Sequence, residues 1–520
     1  MEKKRIAIVG SGVSGLSALW TLRNSHHDIH LFEAADRLGG HTNTAVWTHK
    51  GKSTPVDTGF IVLNTATYPN FIEFLKALDV KTIASQMTFG ISRDAGAFEW
   101  SGTSGSALFA QSENAFKPSF WRMIFDIVRF NQFALDLLSV APGSPSTSIT
   151  AETSIGEYLK QEGYSEAFRD DYLIPMTACV WSTGADKCAL EFPALTLIRF
   201  MWNHHLLTTI SERPPWLTIK GGSKRYIDAV MQECQGAHVH LNTPVKSVSR
   251  KNGRVQLELD GEGAGKPEIF DEVVLACHGD QAREILRSSA TLDEENILAA
   301  FETSPNTAYL HSDLSLMPER RAAWSAWNYL TTSKSSAQSQ KPSASEPSGA
   351  LQTVSLTYNM NILQDIPVSE FSDVLVTLNP EVPPSPSTTQ AVFEYRHPLY
   401  NARMIAAQNQ LERIQGKRGV WYAGAWTGYG FHEDGFSSGM NVGLRLGGNV
   451  PWAVKDAKFS RGVSPVLGWK DHLARTIIAM LQILVSLFER LFAASEKSRG
   501  TTAHKGNGLS NGVEALKKKA

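Results

Sequence analysis

Three glycines near the start of the chain have the spacing of a dinucleotide-binding turn. Gly10, Gly12 and Gly15 fill the pattern G-x-G-x-x-G where an apolar strand runs into a helix. The first glycine permits a tight turn, the second lets the backbone approach a pyrophosphate, and the third lets the helix pack closely on the strand. We expect the free N–H groups at the helix start, around Val13 and Ser14, to bind the phosphates.

An acidic residue closes the second strand of this unit. Glu33 follows the apolar stretch 28–32, where a carboxylate accepts a hydrogen bond from a ribose hydroxyl. A glycine-rich turn alone is weak support for a cofactor, because such turns are common and a structural turn is the alternative. The strand, turn, helix and acid together favour a dinucleotide, although Glu33 does not separate NAD from FAD.

Length and composition are those of an ordinary globular protein. The chain has 520 residues, enough for two or three packed domains, with 42% hydrophobic residues, 19% charged residues and a net charge of −1. This balance lacks the basic surface expected of a nucleic-acid-binding protein. The first strand begins at Arg5, so we expect no secretory signal.

Cysteines and histidines do not form a metal-binding pattern. The four cysteines include no C-x-x-C pair, so we predict neither a disulfide framework nor a zinc site, and we predict a reducing, cytoplasmic compartment. His204 and His205 are adjacent, would point apart on a helix and lack a third ligand. We therefore predict no metal.

The residues after Glu33 extend the glycine-rich contact beyond the first strand–helix–strand unit. They are Arg37, Gly39, Gly40, His41 and Thr42. This arrangement resembles the FAD-binding start of flavin-containing amine oxidases, phytoene desaturases and protoporphyrinogen oxidases. The resemblance implies that the dinucleotide is FAD and that these five residues contact it.

Two further segments resemble cofactor contacts of those families. Gly59 and Phe60 lie in the stretch 56–62, which resembles an element that brings backbone close to the isoalloxazine; a strand-end turn is the alternative. In the resembled families, the residue after a turn at this place contacts the adenine through its backbone. Val245 is the corresponding residue here. The resemblance therefore assigns Gly59 and Phe60 to the flavin end and Val245 to the adenine end.

A second glycine-rich cluster, residues 419–439, has the same predicted strand–turn–helix pattern. A strand ends at Gly424, and we predict a helix starting near Gly435. Such a helix start would direct backbone N–H groups and a positive dipole end to the flavin N1/O2 edge, which becomes negative on reduction. We assign Glu433, mainly through its backbone, and Asp434 to this contact; a plain glycine-rich loop is the alternative.

Residues 1–450 as a whole resemble the flavin-containing amine oxidoreductase superfamily. The narrower resemblance is to the N-terminal flavoprotein domain of plant cyclopropane fatty acid synthases and its free-standing bacterial and fungal relatives. The shared stretches are 68–70, 203–207, 215–218, 323–328 and 428–435. This resemblance implies an FAD-dependent oxidoreductase.

Departures from the superfamily pattern bear on the chemistry. No cysteine follows Cys277, so the cysteine tether of monoamine oxidases is missing and we expect non-covalent FAD. No lysine occurs between Lys266 and Lys334, and Asn306 lies in the strand where polyamine oxidases place a lysine near flavin N5.

One histidine takes the place of a residue of the amine-oxidase aromatic cage. His432 aligns with a cage tyrosine and would titrate near neutral pH, which makes it our candidate catalytic residue. A structural hydrogen bond is the alternative role for this side chain.

The predicted fold class is α/β, with a Rossmann-like FAD-binding domain of the GR2 type and an interleaved α+β substrate domain. The FAD-binding domain is assigned to residues 1–65, 215–285 and 390–450. The substrate domain is assigned to 66–214 and 286–389, in which the low-complexity stretch 333–349 is predicted to be a disordered insertion.

The extension 451–520 carries an amphipathic apolar helix at about 476–492 and a polar, basic tail that we predict to be disordered. Its uninterrupted apolar part, 476–488, is expected to be too short to span a membrane. A helix lying in the membrane plane fits the pattern, and docking on the protein's own surface or on a partner is the alternative. The last four residues match a dilysine retrieval signal, which would place the protein at the surface of the endoplasmic reticulum.

These features predict hydride removal from a C–H bond to flavin N5. The missing lysine, the apolar C-terminal helix and the lipid-enzyme resemblance favour an apolar small molecule such as a lipid as substrate. Two alternatives remain. The first is an FAD-dependent amine oxidase, and the second is a non-catalytic flavoprotein partner of a lipid-modifying methyltransferase.

Overall fold

The computed structural model describes residues 2–139, 153–181, 190–207, 214–261, 264–333, 351–457, 461–462 and 464–488. Residues 334–349 of the predicted insertion 333–349, the predicted helix end 489–492 and the predicted tail lie outside the described residues, whereas Ser333 ends a strand.

Twenty strands are described. They are β1 (Arg5–Val9), β2 (Asp28–Phe32), β3 (Thr44–His49), β4 (Lys52–Asp57), β5 (Leu63–Asn64), β6 (Thr82–Ser85), β7 (Phe89–Arg93), β8 (Phe98–Ser101), β9 (Trp216–Ile219), β10 (His238–His240), β11 (Val245–Lys251), β12 (Arg254–Leu259), β13 (Glu268–Phe270), β14 (Glu272–Leu275), β15 (Thr303–His311), β16 (Trp327–Ser333), β17 (Leu351–Asn359), β18 (Leu375–Leu378), β19 (Thr389–Pro398) and β20 (Val420–Tyr422).

The longer described helices alternate with these strands. They are Val13–Leu22, Pro69–Ala77, Pro118–Phe133, Ile155–Gln161, Ile174–Trp181, Ala194–Asn203, Lys224–Glu233, Gly279–Leu286, Leu292–Leu298, Ala402–Gln408, His432–Arg445 and Trp469–Phe488. Shorter α-helices are Gly105–Leu108, Asp136–Ser139, Glu166–Phe168, Met360–Leu363 and Val368–Phe371.

A five-stranded parallel sheet forms the first layer, in the order β10-β2-β1-β14-β20. Every pairing in it is parallel, and β1 lies at the centre between β2 and β14. Ile6, Ala7 and Ile8 of β1 are completely buried, as expected for a strand covered on both faces. The five strands come from the three segments assigned to the Rossmann-like domain, which confirms the predicted fold class.

The second layer is a seven-stranded sheet in the order β19-β15-β18-β17-β16-β7-β8, antiparallel except between β16 and β7. The predicted domain boundary at residue 390 is wrong. β19 pairs with β15 along almost its full length, from Thr303 opposite Pro398 to His311 opposite Thr389. The backbone N–H and C=O groups of β19 are therefore hydrogen-bonded within the second sheet. The part of the chain assigned to the predicted substrate domain extends to Pro398.

Smaller sheets connect the two layers. β11, β12 and β13 form an antiparallel meander, and β3 pairs with β4 as a hairpin. β9 lies between β5 and β6, so a strand predicted for the FAD-binding domain pairs with one predicted for the substrate domain. The two predicted domains therefore share backbone hydrogen bonds at this point.

Helices from the two ends of the FAD-binding part cross at very short distance. Gly435, Gly439 and Gly443 of the helix His432–Arg445 face the helix Val13–Leu22, and a Cβ at Gly439 would lie 1.9 Å from the Ser14 carbonyl oxygen. This helix begins at His432, three residues before the predicted start at Gly435. Only glycine permits this approach of the two backbones.

The C-terminal helix is longer than predicted. It spans Trp469–Phe488, 20 residues with a mean hydropathy of 1.4 in its most apolar window, and only 6% of that window is buried. Its start is earlier than residue 476 because the Asp471 carboxylate accepts a hydrogen bond from the Gly468 N–H at 2.8 Å. The expectation that this element is too short to span a membrane is therefore wrong on length and composition.

We expect Gly439→Ala to lower the free energy of unfolding by about 1–3 kcal/mol, because a Cβ would force the two crossing helices apart. Urea denaturation followed by circular dichroism measures this difference. Gly105→Ala is the control, since no atom lies within 4 Å of a Cβ at that position. Equal stability of the Gly439→Ala variant and the unsubstituted protein would contradict the close packing.

Candidate cofactor and substrate site

A cleft of about 640 Å³ opens at the carboxyl ends of the parallel strands. Its wall includes Gly10 after β1, Glu33 after β2, Cys277 after β14 and Gly424 after β20. The carboxyl edge of an open parallel sheet is where such folds bind ligands, and the volume is that of a cofactor or small-molecule pocket.

Most of the predicted site residues meet in this cleft. Those that line it are Gly10, Gly12, Val13, Ser14, Glu33, Gly39, Gly40, His41, Gly59, Phe60, Val245, Gly424 and His432. Gly15, Arg37, Thr42, Glu433 and Asp434 do not line it.

The glycine-rich turn leaves room for a phosphate group. A Cβ at Gly12 would meet no atom within 4 Å, although Gly40 packs on the other side of its backbone. Gly12 is also the N-cap of the helix Val13–Leu22, and no side chain caps that helix start. Exposed N–H groups beside an open cradle are the chemistry that holds a pyrophosphate.

The carboxylate of Glu33 is held in place at one end of the cleft. Its Oε2 accepts hydrogen bonds from the Ser11 N–H at 2.9 Å and the Ser11 hydroxyl at 2.5 Å, and its Oε1 accepts from the Ala35 N–H. The Glu33 carbonyl accepts from the Thr243 N–H, two residues before Val245. Glu33 and Val245 therefore mark the same end, which fits the predicted adenosine end.

Three of the predicted contact residues support the turn from behind. A Cβ at Gly15 would lie 1.9 Å from the Gly10 carbonyl oxygen, so this glycine permits helix–strand packing as expected. The Arg37 guanidinium donates to the Gly40 carbonyl at 2.9 Å, and the Thr42 hydroxyl is 2.6 Å from the Tyr226 hydroxyl. These hydrogen bonds give Arg37 and Thr42 a supporting role beside the turn, and their contact with FAD stays a prediction.

The other end of the cleft is built around Gly59. A Cβ at Gly59 would lie 2.1 Å from the His41 carbonyl oxygen, which also accepts the Phe60 N–H at 3.0 Å. The His41 side chain is buried, which lowers its pKa well below the usual value, and its Nε2 has no hydrogen-bond partner among the described residues. A buried ring nitrogen without a partner beside the cleft fits a bound cofactor or substrate.

His432 does not behave as predicted. Its ring stacks on Phe60 at 3.6 Å between centroids, lies edge-on to Phe71, and has its Nε2 3.1 Å from the Tyr226 hydroxyl. Burial among these rings lowers the pKa of His432 to about 3. The expectation that it titrates near neutral pH is wrong because the charged imidazolium would be desolvated, and the alternative role as a structural hydrogen-bond partner is the one this geometry supports.

The two acidic residues after His432 stabilise helix starts. The Glu433 carboxylate accepts hydrogen bonds from the N–H groups of Asn70 and Phe71, the Asn70 amide and the Ser437 hydroxyl. Burial raises the pKa of Glu433 to about 7. Asp434 accepts from the Phe431 N–H at 2.9 Å and caps its own helix. Both side chains thus have a structural role, and the contacts of the Glu433 backbone and of Asp434 with the cofactor stay predictions.

Aromatic and aliphatic side chains form the wall beyond Gly59. Trp181, Trp216 and Trp327 all line the cleft. The other apolar and aromatic side chains there are Met87, Val180, Phe200, Leu206, Tyr358, Tyr400 and Phe431. Besides the histidines, the acidic and basic side chains among the described residues of the wall are Glu33, Lys246 and Glu284.

Two further histidines in the wall were missed by the sequence analysis. The His278 and His397 rings lie 5.7 Å and 5.2 Å from the His41 ring. The position of His278, close after β14 at the carboxyl edge of the parallel sheet, is the signal that could have identified it. His397 gave no such signal, because β19 was assigned to the wrong layer.

Comparison with known protein families agrees with a dinucleotide site in this cleft. The model of the flavin containing amine oxidoreductases matches residues 13–442. The chain belongs to this family. Membership confirms the predicted cofactor, FAD, and the predicted class, an FAD-dependent oxidoreductase.

Individual relatives are distant. A 15-cis-phytoene desaturase from Glycine max is 25% identical over 266 residues, which cover 48% of this chain and 43% of that protein. A solved CLA-producing fatty acid isomerase from P. acnes is 14% identical, with a TM-score of 0.55 over 85% of this chain and 99% of that one.

A solved putrescine oxidase bound to putrescine is 16% identical, with a TM-score of 0.55 over 86% of this chain and 99% of that one. At such identities the solved structures show a shared fold alone. The chain spans less than half the length of the curated relatives it matches.

We expect Gly12→Ala to reduce the affinity for FAD at least about tenfold while leaving the apoprotein equally stable. The added methyl group would occupy the open cradle, and the backbone angles of Gly12, φ −60° and ψ 178°, suit alanine. FAD titration of the apoprotein by flavin fluorescence measures the affinity, with Gly105→Ala as control. Unchanged affinity would show that the cradle does not hold the cofactor.

Glu433 should make stability depend on pH. Its pKa is raised on folding from 4.5 to about 7, so the folded state binds more protons in this range and the free energy of unfolding falls as pH rises through it. We expect Glu433→Gln to be less stable at pH 5 by about 1–3 kcal/mol, since the amide opposes the Phe71 N–H, and to show a flatter pH dependence.

Urea denaturation at pH 5 and pH 8 checks this expectation. Glu113→Gln, at an exposed position, is the control and should keep the slope of the unsubstituted protein. If Glu433→Gln keeps that slope as well, the Glu433 carboxylate is ionised across the whole range and its assigned pKa is wrong.

Proposed function

We propose that this protein removes a hydride from a C–H bond of an apolar small molecule, such as a lipid, and that the bound FAD is the hydride acceptor. The supporting observation is the uneven polarity of the cleft. The wall near Phe60 and His432 is formed by aromatic, aliphatic and histidine side chains, whereas the carboxylate of Glu33 and the ammonium group of Lys246 lie at the opposite, Val245 end. FAD would supply the redox chemistry, and oxygen or another acceptor would take the two electrons from the reduced cofactor.

The tryptophans of the wall would orient the substrate and exclude water. Trp181 is fixed by its indole N–H, which donates to the Tyr429 carbonyl at 3.0 Å. Trp327 Nε1 is buried and has no hydrogen-bond partner among the described residues. It is therefore available to a polar atom of the substrate, while the rings around it bury the apolar part.

An amine is a poorer fit to this wall. A bound ammonium group requires an opposing carboxylate or several acceptors when it leaves water. Of the described carboxylates in the wall, Glu33 already accepts from Ser11, and Glu284 lies on the helix Gly279–Leu286, which follows the His278 turn. Neither belongs to the aromatic end.

The lysine that assists polyamine oxidases has no counterpart in the described wall. Lys246 is the one described lysine there, and its ammonium group donates to Glu258 at 3.1 Å. Asn306 is buried in β15, where its Oδ1 accepts from the Asn379 amide. This supports chemistry that needs no lysine-held water.

Non-covalent binding of FAD is part of the proposal. Cys277 lines the cleft, but burial raises the pKa of its thiol to about 12, so it is not a thiolate nucleophile at neutral pH. Cys234 and Cys277 are both free thiols, which fits the proposed cytoplasmic location. The proposed address at the endoplasmic reticulum depends on the last four residues, which lie outside the described part of the chain.

The fold does not choose between the substrate classes. Its solved neighbours include a fatty acid isomerase and a putrescine oxidase at the same TM-score. The choice therefore depends on the side chains of the wall, and those favour the apolar substrate.

Anaerobic mixing of the FAD-loaded protein with acyl lipids and, separately, with primary amines and polyamines tests the proposal. We expect the visible flavin absorbance to bleach with lipids and not with amines. Leu206→Glu should slow bleaching by lipids at least about tenfold, since it places a charge in the apolar wall.

The matched control is Leu292→Glu, at an exposed position outside the cleft, and the FAD content of each variant reports on folding. Bleaching by amines alone would replace the proposal with amine oxidation. A flavin that no candidate reduces, in a protein that binds a lipid methyltransferase, would favour the non-catalytic alternative.

A further inference from the structure

The C-terminal helix Trp469–Phe488 has the opposite polarity to a helix that docks on a soluble protein. The side that touches the body of the protein is polar. Arg475 donates to Asp136 at 2.7 Å and to the Gln132 carbonyl, and Gln482 accepts from Arg129 at 3.0 Å. Ile478, 5% exposed, is the one apolar side chain of this helix that is buried.

The outward side of the same helix is apolar. The large apolar side chains that are at least 50% exposed there are Trp469, Leu473, Ile477, Met480, Ile483, Leu484, Leu487 and Phe488. No charged residue occurs from Thr476 to Phe488. At 3.6 residues per turn, these positions cover an arc of about 140° of the helix circumference. Exposed apolar surfaces of this kind in water mark an interaction site.

We propose that this outward face lies on a lipid bilayer, with the helix parallel to the membrane surface. A partner helix from a second copy would cover only a narrow seam, such as the a and d positions of a coiled coil. A bilayer covers the whole outward arc at once, which fits its width. The polar inward side stays with the protein body, as in any helix at a lipid interface.

The contacts with the body determine the orientation. Arg475 and Gln482 hold the helix lengthwise against the helix Pro118–Phe133 and the residues that follow it. A membrane-spanning orientation would break these hydrogen bonds or draw Arg129 and Asp136 into the hydrocarbon. The helix is long enough to span, but these contacts favour the in-plane position.

The start of the helix carries residues typical of the headgroup region. Trp469 is exposed, and the Lys470 ammonium group lies 5.7 Å from its ring. An amphipathic indole beside a long cation suits the boundary between lipid headgroups and acyl chains. The proposal therefore includes a preference for anionic lipid.

Flotation of the full-length, FAD-loaded protein with vesicles tests the proposal. We expect the protein to float with phosphatidylcholine–phosphatidylserine vesicles and less with phosphatidylcholine alone. Met480→Gln/Leu484→Gln should lower partitioning at least about tenfold, because two apolar side chains no longer enter the bilayer. The matched control, Leu292→Gln/Val382→Gln, changes two comparably exposed apolar residues outside the helix and should float unchanged.

Three results would overturn the proposal. In the first, the unsubstituted protein stays unbound and sediments as a dimer that Met480→Gln/Leu484→Gln dissociates, which assigns the face to a second copy. In the second, the doubly substituted protein floats as well as the control. In the third, the bound protein resists alkaline carbonate extraction, which indicates a spanning helix. FAD content and flavin reduction are read separately, so this test does not depend on the proposed reaction.

Discussion

The architecture depends on the close crossing of the helices Val13–Leu22 and His432–Arg445. Gly435 packs on Val13, Gly439 on the Ser14 backbone and Gly443 on Thr21. Both helices begin at the cleft, one after Gly12 and the other at His432. The crossing therefore brings two positive dipole ends from opposite ends of the chain to one anionic cofactor. A side chain at the crossing would separate these two helix starts and widen the site between them.

Buried carboxylates hold the elements around this crossing. Glu433 joins the start of the helix Pro69–Ala77 to the helix His432–Arg445. Asp57 joins the β3–β4 hairpin to the start of the helix Lys224–Glu233, because it accepts from the Thr44 hydroxyl and the Ser223 N–H, and burial raises its pKa to about 6. Each carboxylate is well supplied with donors but costs desolvation energy when ionised. These buried carboxylates, which hold the elements around the site, therefore lower the stability of the folded protein at neutral pH.

Local patterns allowed the cofactor end to be predicted from the sequence, and long-range packing decided what was missed. Gly10, Gly12, Gly15 and Glu33 lie in one short unit whose spacing carries its geometry. The environment of His432 depends instead on Phe60, Phe71 and Tyr226, which come from three distant segments, so its ionisation could not be read from its neighbours in the chain. The same holds for β19, whose sequence does not reveal that it pairs with β15.

The carboxylate of Glu33 and the ammonium group of Lys246 lie at the nucleotide end of the cleft. This uneven distribution of charge relates the fold to the proposed chemistry. The nucleotide half is built from backbone groups and one acid, which any dinucleotide enzyme of this fold needs. The other half is built from side chains contributed mostly by the second layer and its helices, where β16 supplies Trp327 and the helix Ile174–Trp181 supplies Trp181. Substrate choice can therefore change by substitution of this wall without disturbing the cofactor turn. The helix Trp469–Phe488 adds an apolar surface on the same side as the helices Pro118–Phe133 and Asp136–Ser139. A protein that accepts an apolar substrate and rests on lipid would meet that substrate where it is concentrated, which is a physical reason for the two features to occur together.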